Sequence, residues 1–98
     1  MDKVIDLNNF LNRRLEIKVG DKTLKVRDIN VLQFEKMIKI EESGTLDDQC
    51  KFLAEVLSAN DEKIKITVDE VKNLTRATVV YLWQLIATRS IDIATDPN

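Results

Sequence analysis

Arg14-Leu15-Glu16-Ile17-Lys18-Val19-Gly20-Asp21-Lys22-Thr23-Leu24-Lys25-Val26-Arg27 decides the fold of this chain, because two alternating apolar and polar runs meet at a glycine. A two-residue loop at Gly20-Asp21 sets Val19 opposite Lys22 and fixes every pair behind it. Glycine at the first loop position suits a type II′ turn, whose twist matches the flanking strands. Counting back, Ile17 faces Leu24 and Leu15 faces Val26 on one side, while Glu16 faces Lys25 on the other. Opposite charges so placed contribute roughly 0.2–1 kcal/mol per pair. Only Arg14 opposite Arg27, at the open end, is unfavourable. A slip of one residue would carry the apolar residues of one strand to the solvent face, so the pattern resists misregister. A lone hairpin is marginal in water; its apolar face must lie on the rest of the chain or on a partner.

Helices follow. At Ile29-Asn30-Val31-Leu32-Gln33-Phe34, Asn30 reads as an N-cap with Gln33 reaching back, and Ile29 is placed to staple onto Phe34. Val31, Phe34, Met37 and Ile38 then form one stripe, and Gly44 fits a left-handed residue closing the helix. Leu32 and Ile40 lie off that stripe and raise the expectation of an external contact. Thr45 with Asp48 caps a second helix, with Leu46, Cys50, Leu53, Val56 and Leu57 on one face and Lys51, Glu55 and Ser58 on the other. Thr67 with Glu70 makes the strongest capping box, with Ile66 stapling onto Val71. From there helical spacing runs through Val71, Leu74, Thr78, Leu82 and Leu85 to about Arg89.

The predicted fold is therefore α+β, an N-terminal hairpin packed on a small bundle of three main helices. It is one domain over 1–98: an arm or short helix at 1–13, the hairpin at 14–27, the helical part at 30–89 and a flexible tail at 90–98. Asp6 to Arg13 reads either as a short amphipathic helix, with Leu7, Phe10 and Leu11 facing the core, or as an extended arm. Lys63-Ile64-Lys65-Ile66 reads either as a strand or as a loop with one anchoring Ile. With 44% hydrophobic and 33% charged residues, the composition is that of a folded soluble domain, not a disordered segment. The longest apolar run, Val79 to Trp83, is far short of the roughly 20 residues of a membrane span, and no signal peptide is expected. A single cysteine fits a reducing cytoplasm.

Net charge is −2, which argues against generic nucleic-acid binding, but its distribution is uneven. Arg13 to Arg27 carries six basic against two acidic residues, a local charge of +4. A basic face of Arg14, Lys18, Lys22 and Lys25 is thus a candidate for an acidic partner or a phosphate backbone. The same residues also serve to keep an exposed edge strand from stray pairing. No aromatic residue interleaves them, which removes the stacking half of single-strand recognition.

No catalytic, cofactor or metal site is expected. The chain lacks histidine, so neither a Ser-His nor a Cys-His pair nor a His-containing zinc site can be built. Cys50 reads as a small core residue. Glu41-Glu42, Asp47-Asp48, Asp61-Glu62 and Asp69-Glu70 are sequence neighbours, and on a helix such neighbours point about 100° apart. If Val71, Leu74, Thr78, Leu82 and Leu85 face the core, then Val80, Trp83 and Ala87 form a second apolar stripe, with Arg76 at its rim. That stripe is either a partner-binding surface with Trp83 as its hot spot or core covered by another element.

Ile5-Asp6-Leu7-Asn8-Asn9-Phe10-Leu11, the basic hairpin behind it, the helix Phe34 to Glu42, the helix Leu46 to Leu57, the Asn60-Asp61 loop and the start Thr67-Val68-Asp69-Glu70-Val71 together resemble the tail assembly chaperones of long-tailed phages of Gram-positive bacteria. The resemblance covers nearly the whole chain and is one of layout. It implies a non-enzymatic protein of the host cytoplasm, absent from the mature virion, that binds the phage tape measure protein and keeps it soluble until tail-tube protein assembles around it. It further implies self-association of copies side by side. The rival expectation is a small cytoplasmic regulator or adaptor that binds nucleic acid through the basic hairpin.

Overall fold

The computed structural model describes residues 4–95, apart from the side chains of residues 9, 10 and 89–95. Strands β1 (Arg14–Val19) and β2 (Lys22–Arg27) pair antiparallel, with Ile17 opposite Leu24, Leu15 opposite Val26 and Glu16 opposite Lys25. Gly20 has φ +62°, whereas Asp21 is not among the residues of positive φ. A type I′ turn needs positive φ at both central positions, so the loop is of the II′ kind. Leu24 and Val26 are buried on the inner face, and Ile17 and Val19 pack against the same core. The outer edge of β2 is closed as well. Arg27 N–H donates to the Ala59 carbonyl at 3.0 Å, Asp61 N–H to the Lys25 carbonyl at 3.0 Å, and Lys25 N–H to Glu62 Oε1 at 2.8 Å.

The inner face of the hairpin lies on helices. Helix α1 (Asn8–Leu11) is a single turn preceding β1, and Leu7 just before it and Leu11 at its end are exposed, not inward as the amphipathic reading has them. So short a helix has no second turn with which to bury a face. The placement expected for Phe10 lies outside the described side chains. Helix α2 (Val31–Ser43) opens on a complete capping box: Asn30 Oδ1 accepts from Gln33 N–H at 2.8 Å, and Gln33 Oε1 from Asn30 N–H at 2.9 Å. Helix α3 (Leu46–Ser58) opens on the same device between Thr45 and Asp48. It is the central element, with Cys50, Phe52, Leu53, Ala54, Val56 and Leu57 all buried. Phe52, off the face traced by spacing, is buried because neighbours cover α3 on more than one side.

The chain leaves α3 through a loop held by two side chains. Asn60, itself buried, donates from Nδ2 to the carbonyls of Leu57 (2.8 Å) and Ile64 (2.7 Å) and accepts from Ile64 N–H (2.9 Å). Ser58 Oγ donates to the Ile66 carbonyl and accepts from Ile66 N–H. With its backbone so occupied, residues 63–66 form a loop anchored by buried Ile66, not a strand.

Helix α4 (Val68–Lys72) starts at the predicted Thr67/Glu70 box, but it stops after five residues. Asn73 and Thr75 supply side-chain partners that compete with the helical ladder. Asn73 Nδ2 donates to the Asp69 carbonyl, and Thr75 Oγ1 accepts from Thr78 N–H, capping a new helix, α5 (Arg76–Thr95). The single long helix read from the sequence is thus two. The restart also changes the phase: Val79, Leu82, Trp83 and Ile86 face the core, whereas Thr78 is exposed and Leu85 only half-buried. Helix α5 continues to Thr95, so residues 90–95 are helical where the sequence reading places a tail; residues 96–98 of that tail lie outside the described residues.

Two expectations about α2 are corrected. Gly44 is extended (φ −83°, ψ 169°), not left-handed. Glycine is required there by space, because a Cβ would stand 2.7 Å from the Ile40 carbonyl oxygen and 2.8 Å from Ile40 Cα. The stripe Val31, Phe34, Met37, Ile38 is also split: Met37 is buried and Ile40 packs on the core, while Val31, Phe34 and Ile38 are exposed.

Candidate protein-binding surface

Trp83 is core, which corrects its reading as an exposed hot spot. Its ring meets Phe52 edge-on, with centroids 5.5 Å apart, and its Nε1–H donates to Glu41 Oε1 at 2.6 Å. Helices α2 and α3 are therefore the elements that cover it. Lys36 Nζ lies over the Phe52 ring, 5.9 Å from its centroid, and pairs with Glu55 at 3.7 Å, closing the α2–α3 seam. Ala87 also packs against the core. Of the proposed stripe, Val80 and Arg76 face solvent.

Trp83 and Ala87 nonetheless line a surface groove of about 460 Å³ together with Glu41, Tyr81, Gln84, Leu85 and Thr88. A smaller hollow beside it joins Val80 and Trp83 to Glu41 and Gln49. Across Glu41 the groove approaches the outward face of α2. Phe34 lies two turns before Glu41 on the same line of that helix, with Ile38 and Val31 next to it. Val31 is 73% exposed, and Phe34 and Ile38 are 40% exposed. An amphipathic helix ordinarily turns such a stripe inward. Here α2 buries the neighbouring Met37 line instead and leaves this one open. Sequence spacing groups these residues with Met37 and does not say which line is inward, because both lines satisfy helical periodicity; the burial of Met37 and the packing of Ile40 show which side meets the bundle.

The basic hairpin is partly neutralised from within. Arg14 Nε donates to both carboxylate oxygens of Asp61, at 2.9 and 3.0 Å, and Lys22 Nζ meets Glu70 Oε2 at 3.1 Å. Lys22 is the main reason, ahead of the Thr67 amide, that the Glu70 carboxyl is held below its ordinary 4.5. Lys18 and Lys25 project without an anionic partner among the described residues. Of the four candidate cations, the structure thus brings two to acidic side chains and leaves a pair.

Compared with family models, curated proteins and solved structures, the chain has no match. Among the described residues no three His, Cys, Asp or Glu side chains converge as a metal site. No described helix is long and apolar enough to cross a membrane.

Proposed function

We propose that this chain is a non-enzymatic tail assembly chaperone that holds a phage tape measure protein soluble in the host cytoplasm before tail-tube protein assembles around it. The reading joins the layout resemblance to one observation, the open apolar line Val31–Phe34–Ile38 on α2 beside the groove floored by Trp83 and Ala87. A long amphipathic helix presents apolar side chains at i, i+3, i+4 and i+7, and a helix-lined groove is the complementary receptor. Contacts on Phe34 and Ile38 would shield such a helix from self-aggregation without any chemical step. A nucleic-acid adaptor is less favoured, because Arg14 and Lys22 already face Asp61 and Glu70.

Co-expression with a phage tape measure protein, sought among the genes that flank this one, tests the proposal. The unmodified chain is expected to raise the soluble fraction, and the double variant Phe34→Asp, Ile38→Asp to lose that effect with its circular dichroism unchanged. Equal solubility with both forms would remove the α2 face from the proposal. Neighbouring genes unrelated to a phage tail would remove the chaperone reading itself.

A further inference from the structure

The break between α4 and α5 leaves a cleft of about 440 Å³ on the far side of α3, within the range of pockets that accept ligands. Its floor is Cys50, Val71 and Val79, all buried, and Leu46 forms an exposed lip. Three charged side chains stand around it. Asp47 is engaged by both Lys72 and Lys51, so its charge is spent. Arg76, exposed at the head of α5, has no anionic partner among the described residues. An occupant must therefore bring aliphatic side chains next to a carboxylate. The open lip favours a segment of protein passing over it, not an enclosed small molecule.

The chain carries such a segment. Val4-Ile5-Asp6-Leu7 leaves its three aliphatic residues between 67% and 88% exposed. Asp6 Oδ1 accepts from Asn8 N–H, and its carboxylate meets no cation among the described residues. The arm springs from the open end of the hairpin, beside Asp61, whereas the cleft lies at the opposite end of α3. Thirteen helical residues put about 20 Å between those ends. We infer that the arm of one copy docks in the α3–α4–α5 cleft of a second copy, its aliphatic side chains over Val71 and Val79 and Asp6 against Arg76. Exchange in both directions gives a closed two-fold dimer. The inference is independent of the tape-measure reading, which rests on the outward line of α2 and on α5 residues further along that helix.

Sedimentation equilibrium on two single variants of the full chain, Asp6→Arg and Arg76→Asp, tests it. Both positions are exposed, and an acidic residue in the first turn of α5 suits the helix dipole, so both variants keep the fold. Each alone sets like charges face to face, and dimerisation is expected to weaken by about tenfold or more. Mixed in equal amounts, each arm meets a cleft of opposite charge, and the dimer is expected to return. Docking of the arm within its own chain leaves the mixture monomeric and overturns the inference. A monomer from micromolar to millimolar concentration in the unmodified protein also overturns it, as does a dimer indifferent to both reversals.

Discussion

Asn60 closes the loop behind α3 by serving two carbonyls and one amide at once, which only a side chain with both donor and acceptor can do. Asn60→Ala strands those groups, and a destabilisation of about 2–4 kcal/mol is expected in urea unfolding. Faster hydrogen exchange at the Ile64 amide should accompany it. Asn60→Asp should fare no better, since a carboxylate cannot donate to Leu57 and Ile64. Trp83 separates two roles in the same way. Trp83→Ala removes the packing on Phe52 and is expected to cost about 3–5 kcal/mol. Trp83→Phe keeps a ring there but loses the bond to Glu41, at about 1–2 kcal/mol. A Trp83→Ala protein as stable as the original would return this residue to the surface.

At the scale of elements, helix starts are the most legible feature of this sequence. Asn30/Gln33, Thr45/Asp48 and Thr67/Glu70 are each closed within four residues, so nothing distant overrides them. The hairpin register is legible for a related reason, since one tight turn fixes it. What lies between a start and its partners in space is harder to read. No glycine or proline marks the end of α4, and the signal available was Thr75 with Thr78, a second cap inside an apparently continuous pattern. Reading the phase through that cap put Thr78 and Leu85 where Val79 and Ile86 belong, and pushed Trp83 outward. In α2, two apolar lines compete, and only the packing of Met37 and Ile40 on the core shows which is inward. The close of α2 carries its own test. Gly44→Ala should cost about 1–3 kcal/mol in urea unfolding, although its φ is ordinary, because the added methyl meets the Ile40 backbone. A neutral result would mean that the turn yields.

Over the whole molecule, ion pairs bridge elements more than they stabilise them singly. Lys22 of β2 reaches Glu70 of α4, Arg14 of β1 reaches Asp61 of the loop, and Lys72 of α4 reaches Asp47 of α3. The Asp47 carboxyl is held below its ordinary 3.8, first by Lys72 and then by Lys51, and Glu70 is lowered by Lys22. A carboxyl lowered by folding contributes stability above its unfolded pKa and loses it as pH falls through the folded one. The Lys72 amine, raised above 10.5 chiefly by its bond to Asp47, contributes below that value and loses its share as pH rises through the folded one. Urea midpoints should therefore be level around neutrality, fall below about pH 5, and fall again in strong alkali. The changes should be small and should shrink in salt, because these groups face solvent. A midpoint that rises on acidification would contradict these pairings.

The chain has one thiol, and the fold places it on the floor of the cleft under α4 and the head of α5, 3% exposed. Cys50 is in effect a built-in stopwatch. A thiol reagent reaches it in the intervals when the cleft floor opens, so the rate of modification at fixed pH counts those openings without any introduced label.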